Sequence, residues 1–147
     1  MNGTKLSALG IIGLAALGVP RVIAHDLRLV GPVVNALLVF VPIAVWLLYV
    51  LWRRVPNPFR TLLGIGFAYG LMLAVAHQLL WEHAYAGNPP SLGGNLAGIL
   101  PGTAEVVLMR GFAFVSSVAT GTAVGAALGA VGWGLARLIP GHSPEKR

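Results

Sequence analysis

The sequence has no cysteine, and only 10% of its 147 residues are charged. Without thiols, the chain can form no disulfide bond, thiolate metal site, thiol nucleophile or iron–sulfur cluster. The scarcity of charge comes with 56% apolar residues and a mean hydropathy of +0.81, a balance that ordinary soluble domains do not show. The composition therefore predicts an integral membrane protein.

The motifs of common enzyme and nucleic-acid-binding classes are also missing. The sequence contains no GxSxG elbow, no HExxH pair and no nucleotide-binding motif. The stretch GNPPSLGGN is rich in glycine, but it lacks the preceding strand and the Lys-Ser/Thr of a phosphate loop. The net charge of +6 has no basic stripe interleaved with stacking aromatic residues. We therefore do not favour an enzyme, and we expect no nucleic acid partner.

Four apolar segments, residues 6–24, 33–52, 61–81 and 106–139, are each long enough to cross a hydrocarbon layer of about 30 Å as a helix. They predict an all-α integral membrane protein, a four-transmembrane-helix bundle that forms a single membrane domain over residues 1–147. The fourth segment would be about 50 Å long, so it must tilt, bend or project. Pro42 falls inside the second segment and predicts a bend there. Residues 83–103, which are rich in glycine and proline, predict an external loop between helices 3 and 4.

Basic residues are unevenly distributed between the two sides that these spans create. Three lie on the side of the loop, namely Arg21, Arg28 and Arg110. Seven lie on the opposite side, namely Lys5, Arg53, Arg54, Arg60, Arg137, Lys146 and Arg147. Because cytoplasmic connections are enriched in Lys and Arg, we predict a multi-pass protein of the cell membrane with both termini in the cytoplasm.

The first segment has a second interpretation. Lys5, the apolar run of residues 6–19, the helix-breaking Pro20 and the ending Val-Ile-Ala also resemble a secretory signal peptide with cleavage after Ala24. Cleavage would leave three spans and would make His25 the first residue.

The fourth span carries a stripe of small residues, which we name the glycine ridge: Ser117, Gly121, Gly125, Gly129 and Gly132. Residues four apart lie on one side of a helix, and small side chains let two helices approach closely in lipid. The ridge therefore predicts helix packing, either on another helix of this chain or on a partner. A homo-oligomer or a larger membrane complex is the partner that this pattern favours.

Polar residues are concentrated at the predicted external end. His77, Gln78, Glu82, Arg110 and Asn35 are the candidate ligand-binding residues, because ionisable groups at membrane depth are costly and tend to mark ligand paths. The alternative is that they lie at headgroup level and pair among themselves, for example Arg110 with Glu82 or Glu105.

The histidines His25, His77 and His83 are weak metal candidates. With Asp26 or Glu82 they could bind zinc or copper, and His77 with a histidine of another span could hold haem. No spacing presets such a site, and His77 and His83 are about 240° apart around a helix. The cofactor therefore stays unknown.

Two hypotheses for the function follow. The first is a small interaction or accessory subunit that associates with itself or with a larger complex through the glycine ridge. The alternative is a transport component that binds an ion or a small anion with His77, Glu82 and Arg110.

Overall fold

A computed structural model of the protein describes residues 4–140 and 142. It contains α1 (Ala8–Ala16), α2 (Val19–Asp26), α3 (Pro32–Trp52), α4 (Pro58–Leu79), α5 (Trp81–Tyr85), a 3₁₀ turn (Gly94–Leu96) and α6 (Gly102–Ala136). Within these residues there is no strand, so the all-helical class is confirmed. Lys146 and Arg147, on which the orientation partly depends, lie outside the described residues.

Among the described residues, four stretches of helix are long and apolar enough to cross a membrane: Ala8–Asp26, Pro32–Trp52, Pro58–Leu79 and Gly102–Ala136. They match the four predicted segments to within four residues at each end. The basic link of residues 53–57 joins α3 to α4, and we name this side of the bundle the basic end. The opposite side carries residues 86–101 between α5 and α6, and we name it the loop end.

The first stretch is broken in the middle, which corrects the prediction of one continuous span over residues 6–24. Pro20 has no N–H to donate to the carbonyl of Ala16, so α1 ends there and α2 begins at Val19. At the break, Trp46 Nε1 donates a hydrogen bond of 2.6 Å to the carbonyl of Leu14. The ring of Tyr69 lies so close to Gly18 that a Cβ there would be 2.6 Å from it. A glycine and two aromatic residues therefore accommodate the break.

The break also places Arg21 inside α2 rather than in a connection. By the same criterion Arg60 lies inside α4 and Arg110 inside α6. Without these three residues, six basic residues against one still favour a cytoplasmic basic end, which stays a prediction.

The remaining helices begin and end where local chemistry requires it. Asn57 caps α4 by accepting a hydrogen bond from the N–H of Arg60, and Pro58 occupies the first turn, where its missing N–H has no consequence. Pro42 lies within α3, which continues past it to Trp52.

The helices α4 and α6 form the most extensive contact in the bundle. All five residues of the glycine ridge are buried, and the ridge faces Gly66 and Gly70 of α4 in the same chain. A Cβ on Gly121 would be 2.5 Å from the Cα of Gly70. The two backbones are therefore in direct contact, as small residues in membrane helices permit.

The buried core lies toward the basic end. It comprises Ala15, Trp46, Val50, Val55, Leu62 and Ile65. Near the loop end, α4 stops at Leu79 and the short α5 follows. The packing there is more open and more polar.

Candidate functional site

A buried carboxylate and a histidine meet at the loop end. Asp26 is the last residue of α2 and is 3% exposed, whereas His77 lies in the last turn of α4 and is 29% exposed. Asp26 Oδ2 and His77 Nδ1 are 2.6 Å apart. A carboxylate so far from water requires a hydrogen-bonding partner, because an unpaired buried charge is far more costly than a paired one.

This hydrogen bond determines which nitrogen of neutral His77 carries the proton. An ionised carboxylate can only accept, so the Nδ1 atom donates to Asp26 and the Nε2 atom keeps its lone pair. His25 Nδ1 lies 3.2 Å from the other oxygen of Asp26, and the side chain of His25 is 55% exposed. Asp26 therefore bridges a histidine at the surface and a histidine inside the bundle.

A cavity of about 330 Å³ lies beside His77, between α4, α5 and the first half of α6. It is lined by His77, Trp81, Ala84, Tyr85, Pro90, Met109, Phe112, Ala113, Ser116 and Ser117. Three of these side chains are aromatic. Among the described residues, no Lys, Arg, Asp or Glu lines this cavity. Its polar groups are therefore the imidazole of His77 and hydroxyl groups.

Three of the predicted ligand-binding residues lie next to the cavity and bind one another. Arg110 Nη2 lies 3.3 Å from Glu82 Oε1, and Arg110 Nη1 lies 3.5 Å from the carbonyl oxygen of Gln78. Gln78 Nε2 in turn donates to the carbonyl of Arg110 at 3.1 Å. The guanidinium is 5.0 Å from the centre of the Trp81 ring. These contacts join α4 and α5 to α6. The pair of Arg110 with Glu82 is one of the two pairings that were given as the alternative to ligand binding.

The other acidic residue at this end has a different role. Glu105 does not pair with Arg110 but accepts a hydrogen bond from the backbone N–H of Leu92. It therefore fixes the loop of residues 86–101 to the first turns of α6. This contact closes the loop over the end of the bundle.

The remaining candidates do not join one site. Asn35 lies in the first turn of α3, and its buried Oδ1 atom has no hydrogen-bond partner. His83 is exposed on α5. Over residues 4–140 and 142, no group of three or more His, Asp or Glu residues is placed to hold a metal ion. The histidines His25 and His77 meet through Asp26 instead, and His83 does not contribute to a metal site with them.

Three sets of residues were not among the predicted site residues. Asp26 was considered only as a possible metal ligand, although an acidic residue beside an apolar span is rare in a chain with four acidic residues. Gly66 and Gly70 have the same four-residue spacing as the glycine ridge but were overlooked. The cavity residues Trp81, Phe112 and Ser116 gave no signal, because they are apolar or small residues in apolar helices.

No protein-family model, no curated protein and no solved structure matches this chain. Its function must therefore be inferred from the geometry of the loop end.

Proposed function

We propose that this chain is an integral membrane protein that binds a small organic cation in the cavity at the loop end, as the binding step of a transport component. The observation that carries the proposal is the position of His77, which lines the cavity with its Nδ1 atom held by the buried carboxylate of Asp26. Asp26 is the last residue of α2, so the proposal requires the helices that position this carboxylate to be retained. We place the loop end outside the cell, in agreement with the distribution of basic residues.

The walls of the cavity favour positive charge. The rings of Trp81, Tyr85 and Phe112 line it, and an aromatic face attracts a cation by about 0.5–1 kcal/mol at an exposed site and by about 2 kcal/mol when water is excluded. His77 adds a lone pair on Nε2, and Asp26 adds a negative charge directly behind the ring. No basic side chain is among the described lining residues, and Arg110, whose guanidinium lies 5.0 Å from the Trp81 ring, is paired with Glu82.

The size of the cavity sets the size of the ligand. Sites for small molecules span roughly 300–1,000 Å³, so a cavity of about 330 Å³ suits a ligand at the small end of that range. An ammonium group attached to a single aromatic ring is a ligand of this size and chemistry.

Both earlier hypotheses receive less support. A small anion would need the guanidinium of Arg110, which is already bound to Glu82 and to the carbonyl of Gln78. Self-association through the glycine ridge would need an open face, but Gly66 and Gly70 of the same chain occupy that face. An accessory subunit would have to use another surface.

The test uses benzyltrimethylammonium as the probe and benzenesulfonate as the anion of similar size. We expect the cation, and not the anion, to bind the purified protein by calorimetry at pH 8. Replacing Phe112 with Leu should weaken binding about three- to tenfold, because one aromatic face is lost. Phe114→Leu is the matched control, since Phe114 lies on the same helix but does not line the cavity. Binding of benzenesulfonate alone would support the anion hypothesis, and binding of neither probe would contradict the proposal.

A further inference from the structure

The Asp26–His77 pair is placed to hold either a proton or a cation. When His77 is protonated, its Nδ1 atom still donates to Asp26 at 2.6 Å, and its Nε2 atom also carries a hydrogen. When His77 is neutral, the same Nε2 atom presents a lone pair. Loss of one proton from His77 therefore changes the pair from neutral to negatively charged.

Net charge decides which occupants are compatible. The carboxylate of Asp26 is 97% removed from solvent, because it is 3% exposed. With protonated His77 the pair is neutral. With neutral His77 and one bound organic cation, the site is also neutral. The empty deprotonated pair has charge −1, and the pair with both a proton and a cation has charge +1. Both charged states are costly inside an apolar bundle.

We infer that the cavity exchanges one proton for one organic cation, with His77 as the group that releases the proton and Asp26 as the charge that both occupants neutralise. This inference rests on the proposed function and deepens it by naming the coupled ion. In the exchange, the Nε2–H bond of His77 breaks, its electron pair stays on Nε2, and the proton passes to water. The cation then enters, and the total charge of the site does not change.

The other charged residues near Asp26 have partners of their own. Arg21 lies against Tyr69, Arg28 donates to the carbonyl of Ala84, and Glu82 is paired with Arg110. The ionisable residues on α2 and on the helices that pack against it are Arg21, His25, Tyr49, Arg60, Tyr69, His77, Glu82, His83 and Tyr85. Among them, His25 and His77 are the residues that contact Asp26 in the described structure.

Benzyltrimethylammonium is the appropriate probe, because it has no titratable proton and any pH dependence of its binding belongs to the protein. We expect its affinity to fall as the pH is lowered from about 8 to 5, because the proton and the cation compete for one negative charge. At the acidic end the fall should approach about tenfold per pH unit, as competition with one proton requires. Calorimetry in two buffers of different protonation enthalpy should then detect close to one proton released per cation bound.

Substitution of the histidines tests which imidazole ring releases the proton. In His77→Gln most of the pH dependence should be lost, because the amide does not titrate and His25 is then the one histidine beside Asp26 in the described structure. His83→Gln is the matched control, since His83 is exposed on α5 and does not contact Asp26, and it should behave like the unchanged protein. As a measurement that needs no variant, ¹⁵N spectra of the histidine rings at pH 5.5 should show the His77 ring lose its Nε2 proton when the cation is added.

The outcomes separate this inference from the proposed function. If the cation binds with the same affinity at every pH and releases no proton, the exchange is wrong and the binding site stands. If His77→Gln keeps the full pH dependence, His77 is not the group that releases the proton. If the cation binds at no pH, both the proposed function and the exchange are wrong.

Discussion

The same two helices behave differently in their two halves. Toward the basic end, α4 and α6 are in backbone contact, with Gly121 against Gly70 so closely that a Cβ would be 2.5 Å from Cα. Toward the loop end, a cavity of about 330 Å³ lies beside His77, between these helices and α5. The glycine ridge ends at Ser117, and from there the wall of the cavity along α6 is formed by Met109, Phe112, Ala113, Ser116 and Ser117. The glycine residues therefore mark the half in which the two backbones are in contact.

The largest expected effect comes from a large side chain in the closed half. Gly121→Leu places a branched side chain against the backbone of α4, and no movement of a side chain can relieve the overlap with Gly70. We expect the free energy of unfolding in detergent to fall by about 3 kcal/mol, at the upper end of typical overpacking.

Gly111→Leu is the matched control for this change. Gly111 lies on the same helix, and a Cβ there would have no heavy atom within 4 Å. The control should therefore change stability little. Equal losses in both variants would mean that the ridge does not pack on α4.

A similar enlargement in the open half should affect binding instead of stability. Ala113→Leu adds a branched side chain at a residue that lines the cavity, two turns along α6 from Gly121. We expect stability to change by less than about 1 kcal/mol, because the added atoms enter empty space. The affinity for benzyltrimethylammonium should fall at least about tenfold, because the ligand and the side chain compete for one volume. Calorimetry and thermal unfolding on the same sample check both parts, and unchanged affinity would place the ligand elsewhere.

The smallest expected effect concerns the helix break beside the closed half. Trp46→Phe keeps the aromatic ring but removes the hydrogen bond to the carbonyl of Leu14. We expect a loss of about 1 kcal/mol, the typical net value of one hydrogen bond. Trp52→Phe is the control, because Trp52 is 75% exposed, and it should be close to neutral. If Trp46→Phe leaves stability unchanged, the hydrogen bond of Trp46 to Leu14 does not stabilise the break.

The two halves also differ in how far the sequence predicts them. The four spans follow from apolar runs of about 20 residues, and the packing of small residues follows from their four-residue spacing. The break at Gly18 did not follow, because Pro20 was consistent with both an internal break and a signal peptide. The internal break is accommodated by Tyr69 and Trp46, which belong to other helices and do not appear in the local sequence pattern.

The site at the loop end could be predicted only in part. The concentration of polar residues there follows from their positions at the ends of the spans. The pairing of Asp26 with His77 does not, because the two residues are 51 positions apart and periodicity does not specify which helices are neighbours. For the same reason Arg110 could be predicted as a ligand or as a partner of Glu82, and only its position in the bundle distinguishes the two.

The most direct test of the open half is the reaction of a single cysteine in the cavity, which is possible because the chain contains no other. In Ser116→Cys, a residue that lines the cavity, we expect a cationic methanethiosulfonate added from outside to modify the thiol in lipid vesicles. Benzyltrimethylammonium should protect it. Val115→Cys, on the neighbouring exposed position of α6, should react slowly and without protection, because that side chain faces lipid in the proposed bundle. Rapid modification of Ser116→Cys that the cation prevents is the predicted result, whereas no modification, or modification that the cation leaves unchanged, would contradict a cation site between α4 and α6.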